Sequence, residues 1–196
     1  MLTFAAAVFF LMMTPGPGVL STAGVGAAFG ARVATRYVLG LFIGTNLVCI
    51  AIVSGVTAAI LADDRLRTLL FFASIAYLTY LALRIAFAGS KVAFIERARP
   101  PGITGGILLQ AINPKAYAVN TALFTGFGFW PQSFAVEMAL KFLIVNAIWI
   151  PIHFSWLWLG IAVQRMNLAR RTQRVINIAM AASMMIVVLL AALSQV

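Results

Sequence analysis

Acidic side chains are almost missing from this chain, which has four Asp and Glu in 196 residues against fourteen Lys and Arg. Histidine and cysteine occur once each, as His153 and Cys49. A single cysteine excludes an intrachain disulfide framework or a paired-thiol redox relay. Cys49 lies mid-way along an apolar run, where a free cysteine acts as a small buried hydrophobe. With so few His, Cys, Asp and Glu, no cluster has metal-ligand spacing, which argues against a metalloenzyme or a transition-metal pump. No glycine-rich phosphate loop is present, so ATP hydrolysis is not expected. No nucleophile–base set stands out either, so no enzyme activity and no cofactor are expected.

Charge of either sign is scarce. Charged residues make up 9% of the chain and hydrophobic ones 63%, with mean hydropathy +1.05. Soluble domains carry about 25% charged residues, so this chain cannot cover a water-facing surface. The composition implies an all-α integral membrane protein forming a single transmembrane domain. The formal charge of +10 does not argue for nucleic acid. Its basic residues sit mostly in short segments between apolar runs, where they set topology and attract lipid headgroups.

A span needs about 20 mostly apolar residues. Six are expected, at roughly 2–28, 37–61, 68–89, 103–127, 134–162 and 175–194. The first 20 residues lack a basic n-region and read as a retained span rather than a signal peptide. Ten of the fourteen Lys and Arg fall in segments 29–36, 90–102 and 163–174 or at Arg84, while Arg65 and Arg67 lie in 62–67. The positive-inside rule then places both termini outside a cytoplasmic membrane.

Two of the six runs are interrupted. Thr14-Pro15-Gly16-Pro17-Gly18 breaks the first and Asn113-Pro114-Lys115 the fourth. Pro15 and Pro114 are 99 residues apart, and Asn46 and Asn146 are 100 apart. Each half is thus one broken span followed by two continuous ones. The halves, about 1–89 and 103–196, are joined by the linker 90–102. An odd number of spans per half reverses the second half in the membrane, giving two inverted three-helix repeats with a site at their interface.

Thr and Asn are good N-caps and Pro suits the first helical position, so each break reads as the start of a half-helix at Thr14-Pro15 or Asn113-Pro114. Two such positive ends meeting mid-membrane would hold a carboxylate. The plainer alternative is two kinked packed helices, as expected at Pro151. Lys115 lies deep in its run, where a charge costs about 2.5–3.5 kcal/mol. It is either a partner for a substrate carboxylate or a lysine tied to carbonyls freed by the break. Asn46 and Asn146 could take a ligand ammonium or hold helices together. Glu137 stands four residues before Lys141, a spacing that suits an ordinary ion pair, with proton coupling as the alternative. His153 could carry a proton or serve as hydrogen-bonded packing. Gly40-x-x-x-Gly44 marks a close helix contact.

Thr14-Pro15-Gly16-Pro17 resembles the Pro-Gly-Pro motif of the LysE/RhtB-type exporters. Asn113-Pro114-Lys115-Ala116 resembles that family's Asn-Pro-Lys motif, and Ala76-Tyr77-Leu78-Thr79-Tyr80-Leu81 the Tyr-Leu stretch of its third span. The resemblance covers essentially the whole chain. It implies efflux of amino acids or close derivatives across the bacterial inner membrane, driven by the proton gradient. It also implies that Pro15, Gly16, Pro17, Asn113, Pro114 and Lys115 lie at or near the transport path. Gly18 stands where many members carry Asn, and Ala82 where a Gly is usual. The expected partners are a small zwitterion, membrane lipid and a second copy in a homodimer. An uncoupled facilitator and a non-transporting membrane subunit are the alternative functions.

Overall fold

The computed structural model describes residues 1–87, 100–166 and 168–193. Most of the linker expected at 90–102 therefore lies outside the described residues. The described residues form helices α1 (Leu2–Met13), α2 (Pro17–Val53), α3 (Val56–Ala62), α4 (Asp64–Ala86), α5 (Ile103–Ile112), α6 (Pro114–Gly126), α7 (Phe134–Arg165) and α8 (Arg170–Leu193). Among the described residues, three helices are long and apolar enough to cross a membrane: α2, α4 and residues Phe134–Val163 of α7. Six spans were expected. α1 and α5 are apolar but short, with 12 and 10 residues, and at about 1.5 Å per residue neither alone reaches across a core about 30 Å thick.

α2 doubles back on itself. Gly30 has φ 78° and ψ 179° inside it, a conformation open to glycine and hostile to other residues. The Tyr37 hydroxyl donates to Ser21 Oγ at 3.0 Å, although the two are 16 residues apart. A continuous helix would separate them by about 24 Å, so the chain reverses at Gly30 and its limbs 17–29 and 31–53 lie side by side. A loop was expected over 29–36. Instead one glycine makes the turn, and Arg32 and Arg36 sit exposed on the second limb. The span expected at 37–61 is likewise interrupted. α2 ends at Val53, Gly55 has φ 80°, and α3 follows. Asp63 then caps α4, its carboxylate accepting from the Arg65 and Leu66 N–H groups at 2.8 and 3.1 Å.

Two apolar clusters make up the core. One gathers Val25, Ala34, Tyr37 and Val38 of α2 with Leu81 and Ile85 of α4 and Leu157 and Ile161 of α7. The other gathers Phe4 and Val8 of α1, Cys49 of α2, Leu123 and Phe124 of α6 and Val145 of α7. Cys49 is packing, buried in this second cluster. The start of α1 thus meets the end of α6.

α2 packs chiefly on α7 and α5, and α4 on α8. The α2–α5 contact is where Gly40 and Gly44 were expected to act. A side chain at Gly40 would strike the Ile103 carbonyl, and one at Gly44 would sit 2.8 Å from Gln110 Cβ. Gly106 answers from α5, against the Tyr37 carbonyl and the Leu41 nitrogen. Small residues let backbones approach where bilayer lipid provides no hydrophobic drive between helices.

Candidate functional site

Each interruption has its own local cause. Thr14 closes α1: its N–H reaches the Phe10 carbonyl at 3.1 Å and its hydroxyl donates to the same oxygen at 2.7 Å. Gly16, in extended backbone, is the N-cap of α2, and Pro17 opens the helix. The start expected at Thr14-Pro15 therefore falls two residues later. Either proline could open a helix, but the Thr14 hydroxyl is spent on its own helix, and glycine can cap without a side chain. At the second interruption Asn113 ends α5 and caps α6. Its side-chain oxygen accepts from the Lys115 N–H at 3.1 Å, with Pro114 at the first position.

Lys115 joins the two. Its Nζ donates to the Thr14 carbonyl at 2.5 Å and lies 3.4 Å from that of Pro15. Its stem runs past Gly16, where an added Cβ would stand 2.7 Å from Lys115 Cδ. These carbonyls belong to the non-helical link, which has no helical donors for them.

A cavity of about 60 Å³ opens beside this contact, large enough to hold water. Thr14, Gly16, Asn113, Lys115 and His153 line it, together with Thr45, Gln110, Asn120 and Trp149. Among the described residues, Lys115 is the one Lys, Arg, Asp or Glu in its wall. A polar chain backs the lysine: Gln110 Nε2 donates to Thr45 Oγ1, and Asn113 Nδ2 donates to Gln110 Oε1 at 3.1 Å. Trp149 also lines the cavity, with His153 stacked on it, ring centroids 3.6 Å apart and planes at 10°. His153 Nδ1 lies 3.0 Å from the Trp149 carbonyl. A carbonyl only accepts, so this nitrogen carries the hydrogen and leaves the Nε2 lone pair free in the neutral ring. Nε2 looks toward Gly18, 3.6 Å from where a side chain there would begin.

The remaining singled-out residues lie elsewhere. Asn46 and Asn146 bond to each other: Asn46 Nδ2 donates to Asn146 Oδ1 at 3.1 Å, and Asn146 Nδ2 to Asn46 Oδ1 at 2.9 Å. A reciprocal contact of this kind is what a two-fold relation produces. Replacing one partner by leucine strands the other amide, at a cost of about 0.6–1.7 kcal/mol. The double replacement is expected to cost less than the sum of the singles, in a thermal-unfolding cycle in detergent. Strict additivity would show that the amides do not couple. Glu137 is paired with Lys141 at 2.8 Å and also accepts from the Phe129 and Trp130 N–H groups. Lys141 is buried, donates to the Phe124 carbonyl at 2.8 Å and lies over the Phe4 and Phe129 rings. Arg84, expected at a basic membrane edge, is buried against Phe29 and Tyr80.

Sequence reasoning missed Thr45, Gln110 and Asn120. The signal at Gln110 was its place: it is the one amide in α5 and stands three residues before Asn113.

A strongly apolar chain whose described residues fold into helices around a cavity with polar groups in its wall falls in the class of multi-pass membrane transport proteins. The family model described as LysE type translocator matches residues 9–195, and the chain belongs to that family. Comparisons with curated proteins and with solved structures each gave no match.

Proposed function

We propose that this protein is a secondary exporter of amino acids or close derivatives, coupled to protons, in a bacterial inner membrane. The observation that carries the reading is Lys115 reaching from one helix interruption to the carbonyls of the other, at the edge of a polar cavity. One lysine, two helix starts and no carboxylate in the lining favour a ligand that brings its own carboxylate. Pro15, Pro17 and Pro114 hold the interruptions open.

The architecture behind the reading is two inverted three-helix repeats. α1 with the first limb of α2 corresponds to α5 with α6, the second limb to α7, and α4 to α8. The Asn46–Asn146 pair and the meeting of α1's start with α6's end support it. Alternating access would rock one repeat on the other around the cavity. The Gly30 turn, the end of α7 and the start of α8 carry Arg32, Arg36, Arg165, Arg170, Arg171 and Arg174. That end faces the cytoplasm under the positive-inside rule, leaving both termini outside.

His153 is the better proton carrier of the two candidates, because it lines the cavity while Glu137 is held by Lys141 and two backbone donors. The test is counterflow in proteoliposomes with a panel of labelled amino acids, with and without an imposed pH gradient. Selective exchange that the gradient drives is expected. His153→Gln is expected to keep exchange and lose about tenfold or more of the gradient-driven accumulation. Exchange indifferent to the gradient in the wild type would mark an uncoupled facilitator. Absence of exchange for every amino acid would end the amino-acid reading.

A further inference from the structure

Asn120 sits on α6, one and a half turns beyond Lys115, and is 3% exposed. Its Nδ2 donates to the Ala116 carbonyl at 2.7 Å. That bond fixes the amide's orientation, because only the nitrogen can donate to a carbonyl. The oxygen must therefore point the other way. Among the described residues nothing donates to Asn120 Oδ1, and Asn120 lines the cavity. An unpaired buried acceptor carries a desolvation penalty. Asn113, Gln110 and Thr45 are satisfied from within, Asn113 and Gln110 bonding to each other and Gln110 to Thr45, and the other open acceptor in the wall is His153 Nε2, which looks toward Gly18 on α2.

The cavity thus offers two unlike ends on one helix. Lys115, with the starts of α2 and α6, attracts negative charge. Asn120 Oδ1 offers a lone pair and asks for a donor. A ligand that answers both carries a carboxylate and an N–H donor. We propose that Asn120 Oδ1 is the acceptor for the substrate's amino group, and that it makes this site select α-amino acids over the corresponding carboxylic acids. The inference rests on the exporter reading and deepens it. A second ammonium, as in a diamino acid, finds no carboxylate in the lining and meets Lys115 as a like charge. The favoured class is therefore small monoamino, monocarboxylic acids.

The test measures binding to purified wild type, Asn120→Leu and Asn120→Asp in detergent. The probes are labelled alanine, serine, threonine, leucine and lysine. Each is displaced by unlabelled amino acid or by the matching acid without its amino group, such as propionate for alanine. Wild type is expected to bind a monoamino acid and to prefer it over the deaminated acid. Asn120→Leu is expected to lose at least about tenfold in amino-acid affinity, with little change for the deaminated acid. Its melting temperature without ligand should hold or rise, since a stranded acceptor has been removed. Asn120→Asp keeps an acceptor oxygen and should stay within about threefold of wild type.

Undiminished amino-acid affinity in Asn120→Leu would overturn the assignment and leave the exporter reading standing. Equal loss of the amino acid and the deaminated acid in Asn120→Leu would overturn it too, by showing a collapsed cavity. Tighter binding of lysine than of every monoamino acid would overturn the substrate class. A wild type that binds no amino acid would remove both this inference and the reading beneath it.

Discussion

Lys115→Met is expected to lower counterflow by on the order of 10- to 100-fold, the range for losing one charge-assisted hydrogen bond of about 1.5–3 kcal/mol to a ligand. Stability should move far less, because opposing terms nearly cancel. A cation within a span costs about 2.5–3.5 kcal/mol on insertion scales, and methionine relieves that cost. Against it stands the lost donation to the Thr14 and Pro15 carbonyls, worth about 1–3 kcal/mol if those oxygens go unpaired. Thr14 lines the cavity, so water there can replace part of the loss. The melting temperature in detergent should therefore shift by only a few degrees while transport fails. Lys115→Arg should not rescue activity, because a planar guanidinium is wider than an ammonium and the cavity is about 60 Å³. Transport intact in Lys115→Met would make the lysine a structural tie between the two interruptions and nothing more.

The residues that made this site legible are those whose oddness is local. Lys115 in an apolar run and Asn113 before Pro114 need no knowledge of the rest of the chain, and Asn113 caps α6 as its sequence suggests. The first interruption was legible as a break but not in register. Pro15 and Pro17 are both fit to open a helix, and the choice turned on where the Thr14 hydroxyl bonds. Asn46 and Asn146 stood out by spacing, yet spacing says nothing about distance. Only the fold shows each amide occupied by the other. Gln110 and Asn120 were illegible for the opposite reason: a single amide in a helix can face a neighbour, a cavity or a headgroup, and periodicity does not choose. The Gly30 reversal was hidden because Arg32 and Arg36 suggested a polar loop, while one positive-φ glycine makes the turn.

Gly106→Ala and Gly16→Ala should separate folding from function, because the same added methyl meets different neighbours. At Gly106 a Cβ would meet the Tyr37 carbonyl, the Leu41 nitrogen at 2.5 Å and the Gly40 carbonyl carbon at 2.8 Å. All are backbone atoms of α2's second limb, which also packs on α7 through Phe42–Trp149 and Asn46–Asn146. They cannot yield without separating α2 from α5. Overpacking typically costs about 1–3 kcal/mol, and with rigid backbone on both sides the upper end or beyond is expected. Gly106→Ala should therefore lose most of its folded yield or melt many degrees lower. At Gly16 the methyl would meet Lys115 Cδ at 2.7 Å, Nζ at 2.9 Å and Cε at 3.3 Å. A flexible lysine stem can swing away at a cost of about 1 kcal/mol or less in rotamer strain. Gly16→Ala should melt only a few degrees lower, far less than Gly106→Ala, and lose transport, since the displaced Nζ no longer reaches the Thr14 carbonyl. Size-exclusion profiles, thermal melts and counterflow on the two variants would check this. A stable Gly106→Ala would contradict the close α2–α5 contact, and a fully active Gly16→Ala would contradict the need for Lys115 to span the two interruptions.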